Sequence, residues 1–240
     1  MGNALIIPRI AGNMTLENGY SVFMRKIRKP LKVNGADVSK ETDMNDKELE
    51  WEEISTEHIV QDEWIDFRKS AYRYPDGRTF SPYYSYSRRD YTVIVAVDEK
   101  GDLLCVRQYR YGIKKVTTEF PAGGIERSDG REYGGSDNAE TALDCAQREL
   151  REETGYVSDD WTHLITIPSN ATIADNYAYV FLARNCRKAG EQHLDETEYL
   201  NVETHTPDEI DELIQNNSFH QAIHVMAWLL AKDKIKERRN

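Results

Sequence analysis

The stretch with the most chemical potential in this chain runs Arg148, Glu149, Leu150, Arg151, Glu152, Glu153, Thr154, Gly155. Glu149 and Glu153 are four residues apart and Glu152 is three from Glu149, so on a helix their carboxylates crowd one side of its last turn. Glutamates at that end oppose the helix macrodipole and repel one another, and they need compensation. Hard divalent cations provide it, because Mg²⁺ prefers oxygen ligands and keeps positions for water and substrate phosphates. Taken alone, the same residues also fit a solvated helix held by a pair such as Arg148 with Glu152. Context favours the metal. Gly155 stops the helix, and Pro121, Ala122, Gly123, Gly124 upstream offer backbone that a ligand can approach closely.

The elements that must position this cluster follow from periodicity. A helix is expected from about Ala139 to Thr154, with Ala139, Ala142, Leu143, Ala146 and Leu150 as its apolar face and Asp137 with Glu140 as a capping box. Two further helices are predicted near the C-terminus. One starts at Thr206, Pro207, Asp208, Glu209; the other starts at Ser218 with Gln221 and turns Ile223, Met226, Ala227, Leu229 and Leu230 toward the core. Tyr91 to Val97 and Leu103 to Val106 read as adjacent buried strands joined by a turn at Asp98 to Asp102. Further strands are expected at Trp161 to Thr166, Tyr177 to Ala183 and Glu198 to Val202, and Tyr74 to Arg78 reads as a hairpin turn. The alternation predicts a layered α/β protein.

These residues resemble the signature of the Nudix hydrolase family, matched here by Glu140, Arg148, Glu149, Leu150, Glu152, Glu153, Gly155 and Tyr156, the last a departure from the usual aliphatic residue. The signature's opening glycine has two candidates. Gly134 satisfies the literal spacing to Glu140, whereas Gly123 sits in a Pro-Ala-Gly turn like that of the related ADP-ribose pyrophosphatases. The second reading, which we prefer, implies an insertion at residues 127–137. Arg107, Gln108, Tyr109, Arg110, then Glu119 to Gly123, and the upstream Pro75, Asp76, Gly77 extend the likeness to the ADP-ribose and nucleoside-diphosphate-sugar branch over roughly residues 50 to 235. Pro168, Ser169, Asn170, Ala171 stands where that branch often carries Ser-Pro-Gly, which leaves the substrate within the class open.

The resemblance implies a Nudix α/β/α sandwich with a mixed β-sheet and an N-terminal β-rich subdomain. It divides the chain into an extension at 1–50, a β-rich part at 51–88 that could form a dimer, and a hydrolase domain at 89–240. It implies Mg²⁺ or Mn²⁺, roughly two or three ions, held by Glu149, Glu152, Glu153 and the Ala122 carbonyl, with Glu140 as an outer member. Arg148 then pairs with a carboxylate and orders loop and helix. The general base falls to Glu196 first, Glu198 second, or Glu153 on the helix. Arg107, Arg110, Glu119 and Trp64 are candidates for substrate contact, and Phe67, Tyr83 and Tyr84 offer further aromatic surface. The implied reaction is Mg²⁺-dependent hydrolysis of the diphosphate of ADP-ribose or a related nucleoside-diphosphate sugar by a homodimer. The alternatives are another nucleoside-diphosphate derivative or coenzyme as substrate, and a catalytically silent ligand sensor.

Composition narrows the field independently. With 42 acidic against 31 basic residues the net charge is -11, which disfavours a nucleic-acid backbone as partner. Cys105, Cys145 and Cys186 lie in apolar or helical patterns and read as buried free thiols, while no run approaches a membrane span and no signal peptide precedes Arg9. A cytoplasmic protein without membrane or nucleic-acid partners is expected. His220 and His224 share a helix face, yet no third zinc ligand has matching spacing.

Overall fold

Strand β4 (Tyr91–Asp98) is apolar on both sides because helices cover both faces of its sheet. The computed structural model describes residues 45–128, 139–195 and 198–236. The chain divides into two compact units, Met1–Leu49 and Glu50–Asn240. In the first unit the described part is a 3-10 turn, Asp46–Glu48, capped reciprocally by Asn45 and Glu48. Everything that follows concerns the second.

It opens with an antiparallel sheet of three strands, β1 (Glu52–Gln61), β2 (Asp66–Arg73) and β3 (Thr79–Ser87). The hairpin expected around Asp76 and Gly77 joins β2 to β3, and Gly77 has φ 88°, a conformation that favours glycine. Eight strands form the main sheet: β4, β5 (Leu103–Arg110), β6 (Lys115–Glu119), β7 (Ala122–Gly124), β8 (Tyr156–Val157), β9 (Asp160–Pro168), β10 (Tyr177–Lys188) and β11 (Leu200–His205). Its spine runs β11, β5, β4, β10, β8; β10 lies parallel to β4, and β6, β7 and β9 pair with β5, β4 and β10. The mixed sheet and its two helical layers are those of the expected α/β/α sandwich.

Alternation along the strands sorts the core. Ile94, Ala96, Leu104, Phe181 and Ala183 face helix α1 (Ala142–Thr154), packing on Ala146 and Leu150. Val93, Val95, Val97, Leu103, Cys105, Val180 and Leu182 face the opposite way, toward α2 (Pro207–Gln215) and α3 (Ala222–Lys236). Burying each large apolar side chain contributes about 1.5–3 kcal/mol. All three cysteines are buried and free.

Three details differ from the periodicity-based expectation. Helix α1 starts at Ala142, capped by Thr141 with Asp144 returning the bond, because Glu140 is already engaged by the Glu126 N–H and Arg148 and cannot serve as a capping partner; Asp137 lies outside the described residues. Leu143 is exposed, and the buried stripe instead continues through Cys145, Ala146, Glu149, Leu150 and Glu153. Helix α3 begins at Ala222 rather than Ser218, since the Ser218 and Phe219 amides close back onto Leu213. Its core face is His224, Ala227, Trp228, Ala231 and Ile235, while Leu229 and Leu230 point outward. Trp228 occupies the core, and a helix cannot turn the two residues that follow it to the same side.

Trp228 also donates Nε1–H to Asp211 Oδ1 at 2.6 Å, tying α3 to α2. Trp228→Phe is expected to cost about 1–3 kcal/mol through the lost bond and the void, measured by urea unfolding. This face is opposite α1, so the dissociation constant for divalent cations should stay within about twofold.

Candidate active site

Helix α1 buries two carboxylates on the face that packs against the Pro121–Gly124 turn: Glu149 is 6% exposed and Glu153 2%. The Ala122 N–H donates to Glu153 Oε2 at 3.0 Å. Gly123 lies so close to Glu149 that a Cβ there would fall 1.9 Å from its carboxyl, so any side chain would displace it. Glu198, arriving from the segment before β11, completes the group. One carboxylate oxygen from each of Glu149, Glu153 and Glu198 lies within 4.8 Å of the others. Asp195 N–H donates to Glu198 Oε2 at 3.1 Å and aims it.

Three converging carboxylates with little water around them favour protons or a cation. Burial pushes the Glu149 carboxyl up to about 7, with Arg148 opposing and Glu198 and Glu152 adding to the rise. Burial likewise raises Glu153 well above the carboxylate range, followed by the charge of Glu149. An all-oxygen donor set of this charge suits a hard divalent ion, and the glycine that admits the carboxyl beside the turn makes room for it.

Arg148 organises the rim. Its guanidinium donates to Glu140 Oε1 at 2.7 Å and Oε2 at 3.2 Å, Glu149 Oε1 at 2.8 Å, Glu152 Oε2 at 3.0 Å and the Gly124 carbonyl at 3.1 Å. One cation thus joins the helix, the turn and Glu140, which stands just before the helix cap. Glu140 is held below the usual carboxylate range; burial opposes this, but Arg148 and the Glu126 N–H outweigh it. Ala139 N–H also donates to the Glu126 carbonyl at 2.8 Å, so the two ends of the expected insertion meet at its base. Residues 129–138, including Gly134, lie outside the described residues.

The NUDIX domain matches residues 87–229 of the chain. The chain belongs to the Nudix hydrolase family. It is 27% identical over 202 residues to the ADP-ribose pyrophosphatase of Bacillus subtilis (strain 168), covering 80% of this chain and 100% of that protein. Similarity to an ADP-ribose pyrophosphatase of Mycobacterium tuberculosis (strain ATCC 25618 / H37Rv) is 31% over 107 residues, 44% of this chain and 47% of that one. A crystal structure of an ADP compounds hydrolase superposes with TM-score 0.67 at 20% identity, covering 79% of this chain and 97% of that chain, a likeness of fold.

Against this Nudix frame the remaining candidates separate. Glu152 is one step around the helix from Glu153; it pairs with Arg148 and faces a different groove, beside Arg151 and Trp161. Ala122 lies beside the acidic group through its N–H. Glu196 lies outside the described residues. Arg110 and Glu119 hold each other. The Arg110 Nε is 3.0 Å from both Glu119 oxygens and its Nη2 is 2.5 Å from Oε2, with Thr117 as a further donor to Glu119. Burial works against ionisation of Glu119, but Arg110 keeps its carboxyl low. Glu119 is fully buried, so of the pair Arg110 is the one that reaches the cleft. Arg107 is exposed on the other face of β5 and lies 3.5 Å from Glu203 of β11. Trp64 is exposed in the turn between β1 and β2.

The cleft beside the acidic group has a volume of about 480 Å³ and is lined by Arg88, Arg89 and Arg110, with Tyr91, Asn176 and His224 among its walls. Arg88 and Arg89 were not singled out in the sequence; their signal was a basic pair immediately before the buried run of β4. Asn176 fixes the wall by donating Nδ2–H to the Arg89 carbonyl at 2.9 Å. His224 accepts the Phe120 N–H at Nδ1, and burial pushes its ring down to about 4, so it is neutral and structural.

Folded-state carboxyls raised above their ordinary 4.5 contribute stability that is present below that value and lost as pH rises through the folded value, about 7 for Glu149. His224 has the opposite sign, its contribution being present above 6.5 and lost as pH falls toward 4. In EDTA the Glu149 contribution to the thermal midpoint should therefore fall between about pH 4.5 and 7, and Glu149→Gln should remove that falling component. Because a cation needs these groups ionised, the midpoint increment from added Mn²⁺ should grow over the same range. Scanning fluorimetry at several pH values measures both.

Proposed function

We propose that this chain is a Mg²⁺-dependent hydrolase that cleaves the diphosphate of ADP-ribose or a closely related nucleoside-diphosphate sugar, releasing nucleoside monophosphate and sugar phosphate. The observation that carries the reading is the juxtaposition of three converging carboxylates with a cleft containing three arginines. A diphosphate ester has the complementary needs: paired anionic groups for guanidinium contact and a centre at which negative charge is neutralised during attack. The relatives named for ADP-ribose hydrolysis support the choice of substrate class.

Glu149 and Glu153 would hold the cation. When bound, it would supply electrophilic polarisation of the phosphoryl group and lower the pKa of a bound water. Arg88 and Arg110 bind and orient the phosphates along the cleft, and Asn176 keeps the wall in register. Glu198 is less buried than the helix pair and faces the same space, so it is the residue that takes the proton from the attacking water. Arg148 acts through Glu149 and Gly124, holding helix and turn at fixed separation.

A homodimer fits the three-stranded sheet of the 51–88 segment. That sheet and its approach expose Trp51, Ile54, Ile59, Val60, Phe80 and Tyr84 at 41–46% each, apolar surface that a second copy would cover. Aromatic contacts such as Trp51 against Tyr74 at 4.6 Å keep this surface rigid. Light scattering on the full chain should give twice the monomer mass.

The decisive assay mixes the chain and Mg²⁺ with ADP-ribose, ADP-glucose, GDP-mannose, NADH and coenzyme A and resolves products by mass spectrometry. AMP with ribose 5-phosphate as the fastest products supports the reading; preference for another member replaces the substrate, and silence across the panel favours a ligand sensor. Glu153→Gln and Glu198→Gln should each lower kcat at least about a hundredfold, with Glu198→Gln retaining substrate binding by equilibrium dialysis.

A further inference from the structure

The C-terminus of α1 is capped by a single downstream segment, and that segment leads directly to Glu198. We infer that Lys188 to His193 form a clamp that sets the distance between Glu198 and the helix glutamates, with Gln192 as its positioning residue. The inference rests on the acidic group being the working site.

A helix ordinarily leaves its last carbonyls to water or to a local cap. Here the Arg151 carbonyl accepts from the Gly155 N–H at 2.7 Å, and the next four carbonyls are all taken by this segment. His193 N–H donates to Glu152 O at 2.9 Å and Gln192 Nε2–H to Glu153 O at 2.6 Å. Lys188 Nζ donates to Thr154 O at 3.0 Å. The Ala189 and Gly190 amides donate to Gly155 O at 2.8 and 3.2 Å. Lys188 also lies 5.2 Å over the Tyr156 ring, which places a cation at the negative end of the helix, where the glutamates crowd.

The approach is close enough to exclude a side chain at Gly155. Its φ of 72° already favours glycine, and independently a Cβ would meet the Gly190 carbonyl oxygen at 2.3 Å. Two residues beyond His193, Asp195 bonds Glu198 twice: Glu198 N–H donates to Asp195 O at 2.9 Å and Asp195 N–H donates to Glu198 Oε2 at 3.1 Å. The Glu153 main chain and the Glu198 carboxylate are thus each held by this side of the chain, through Gln192 and Asp195 respectively. Of the capping groups, Gln192 is the side chain bonded to the main chain of a cluster member itself, so losing its donor should loosen both Glu153 and its spacing from Glu198 while leaving α1 folded on the sheet through Ala146 and Leu150.

Gln192→Met keeps the length of the side chain and removes the donor; Gln192→Lys restores a donor of similar reach. Mn²⁺ affinity, read by titration calorimetry without substrate, should fall about tenfold in Gln192→Met, the scale of lost support around metal ligands, and recover in Gln192→Lys. Amide hydrogen exchange should quicken at Gly190 and His193 and stay unchanged at Leu150 and Val95. With ADP-ribose, kcat should drop while KM moves less than about twofold. Unchanged Mn²⁺ affinity and exchange in Gln192→Met overturn the clamp, as does faster exchange at Leu150 and Val95, which would make Gln192 a general stability residue. A wild-type chain that binds Mn²⁺ but hydrolyses no nucleotide sugar overturns the proposed substrate and leaves the clamp to be decided by affinity and exchange.

Discussion

Two carboxylates buried side by side on one helix face set the constraint to which the nearby structure answers. Glu149 and Glu153 lie among the buried residues of the helix, and burial raises both away from ionisation. Much of the nearby structure answers that constraint. Arg148 sets a guanidinium against Glu149, the Ala122 amide points at Glu153, and Gly123 gives up its side chain so that the Glu149 carboxyl fits. Lys188 adds a cation at the negative end of the helix. The repulsion that is left is what a bound divalent ion would relieve, so stability conceded in the folded chain would reappear as binding free energy.

The surrounding architecture serves to keep that arrangement from relaxing. β4 is packed on both faces, so it is a rigid reference for the helix on one side and, through β7, for the turn that lies against the glutamates. The cleft wall is anchored to the two residues that lead into that strand: Asn176 bonds the Arg89 carbonyl, and Tyr177 N–H reaches Asp90 Oδ1 at 2.7 Å. The three-stranded sheet joins this wall as well, through Tyr86 N–H to the Ile173 carbonyl at 2.8 Å and Arg68 to Asp175 at 3.1 Å. Acidic group, arginine-lined cleft and N-terminal sheet are therefore connected through backbone elements rather than through flexible side chains alone.

Much of this was legible in local sequence. The doubly apolar runs of β4 and β5, the Thr206–Pro207 start of α2 and the Gly155 stop each rest on short-range rules, and the structure shows all of them. The Arg148-to-Gly155 stretch identified both the helix and its chemistry because the four-residue spacing of Glu149 and Glu153 is itself a geometric statement. Local rules failed where two uses competed for one residue. Spacing makes Glu140 a capping partner, but Arg148 holds it instead, and periodicity puts Leu229 and Leu230 in the core although Trp228 takes that face.

By itself the sequence determined the family chemistry, the helix that carries it and the layered α/β plan, since each is encoded in residues only a few positions apart. Tertiary structure alone decided which carboxylates converge: Glu198 joins Glu149 and Glu153 across some 45 residues of chain, while Glu152, adjacent to Glu153, turns to Arg148. It likewise decided that Arg110 and Glu119 satisfy each other and that Arg88 and Arg89 line the cleft. The reason is physical. Spacing along a helix or strand fixes direction within one element, but the burial and pairing of a charge depend on which other elements fold against it.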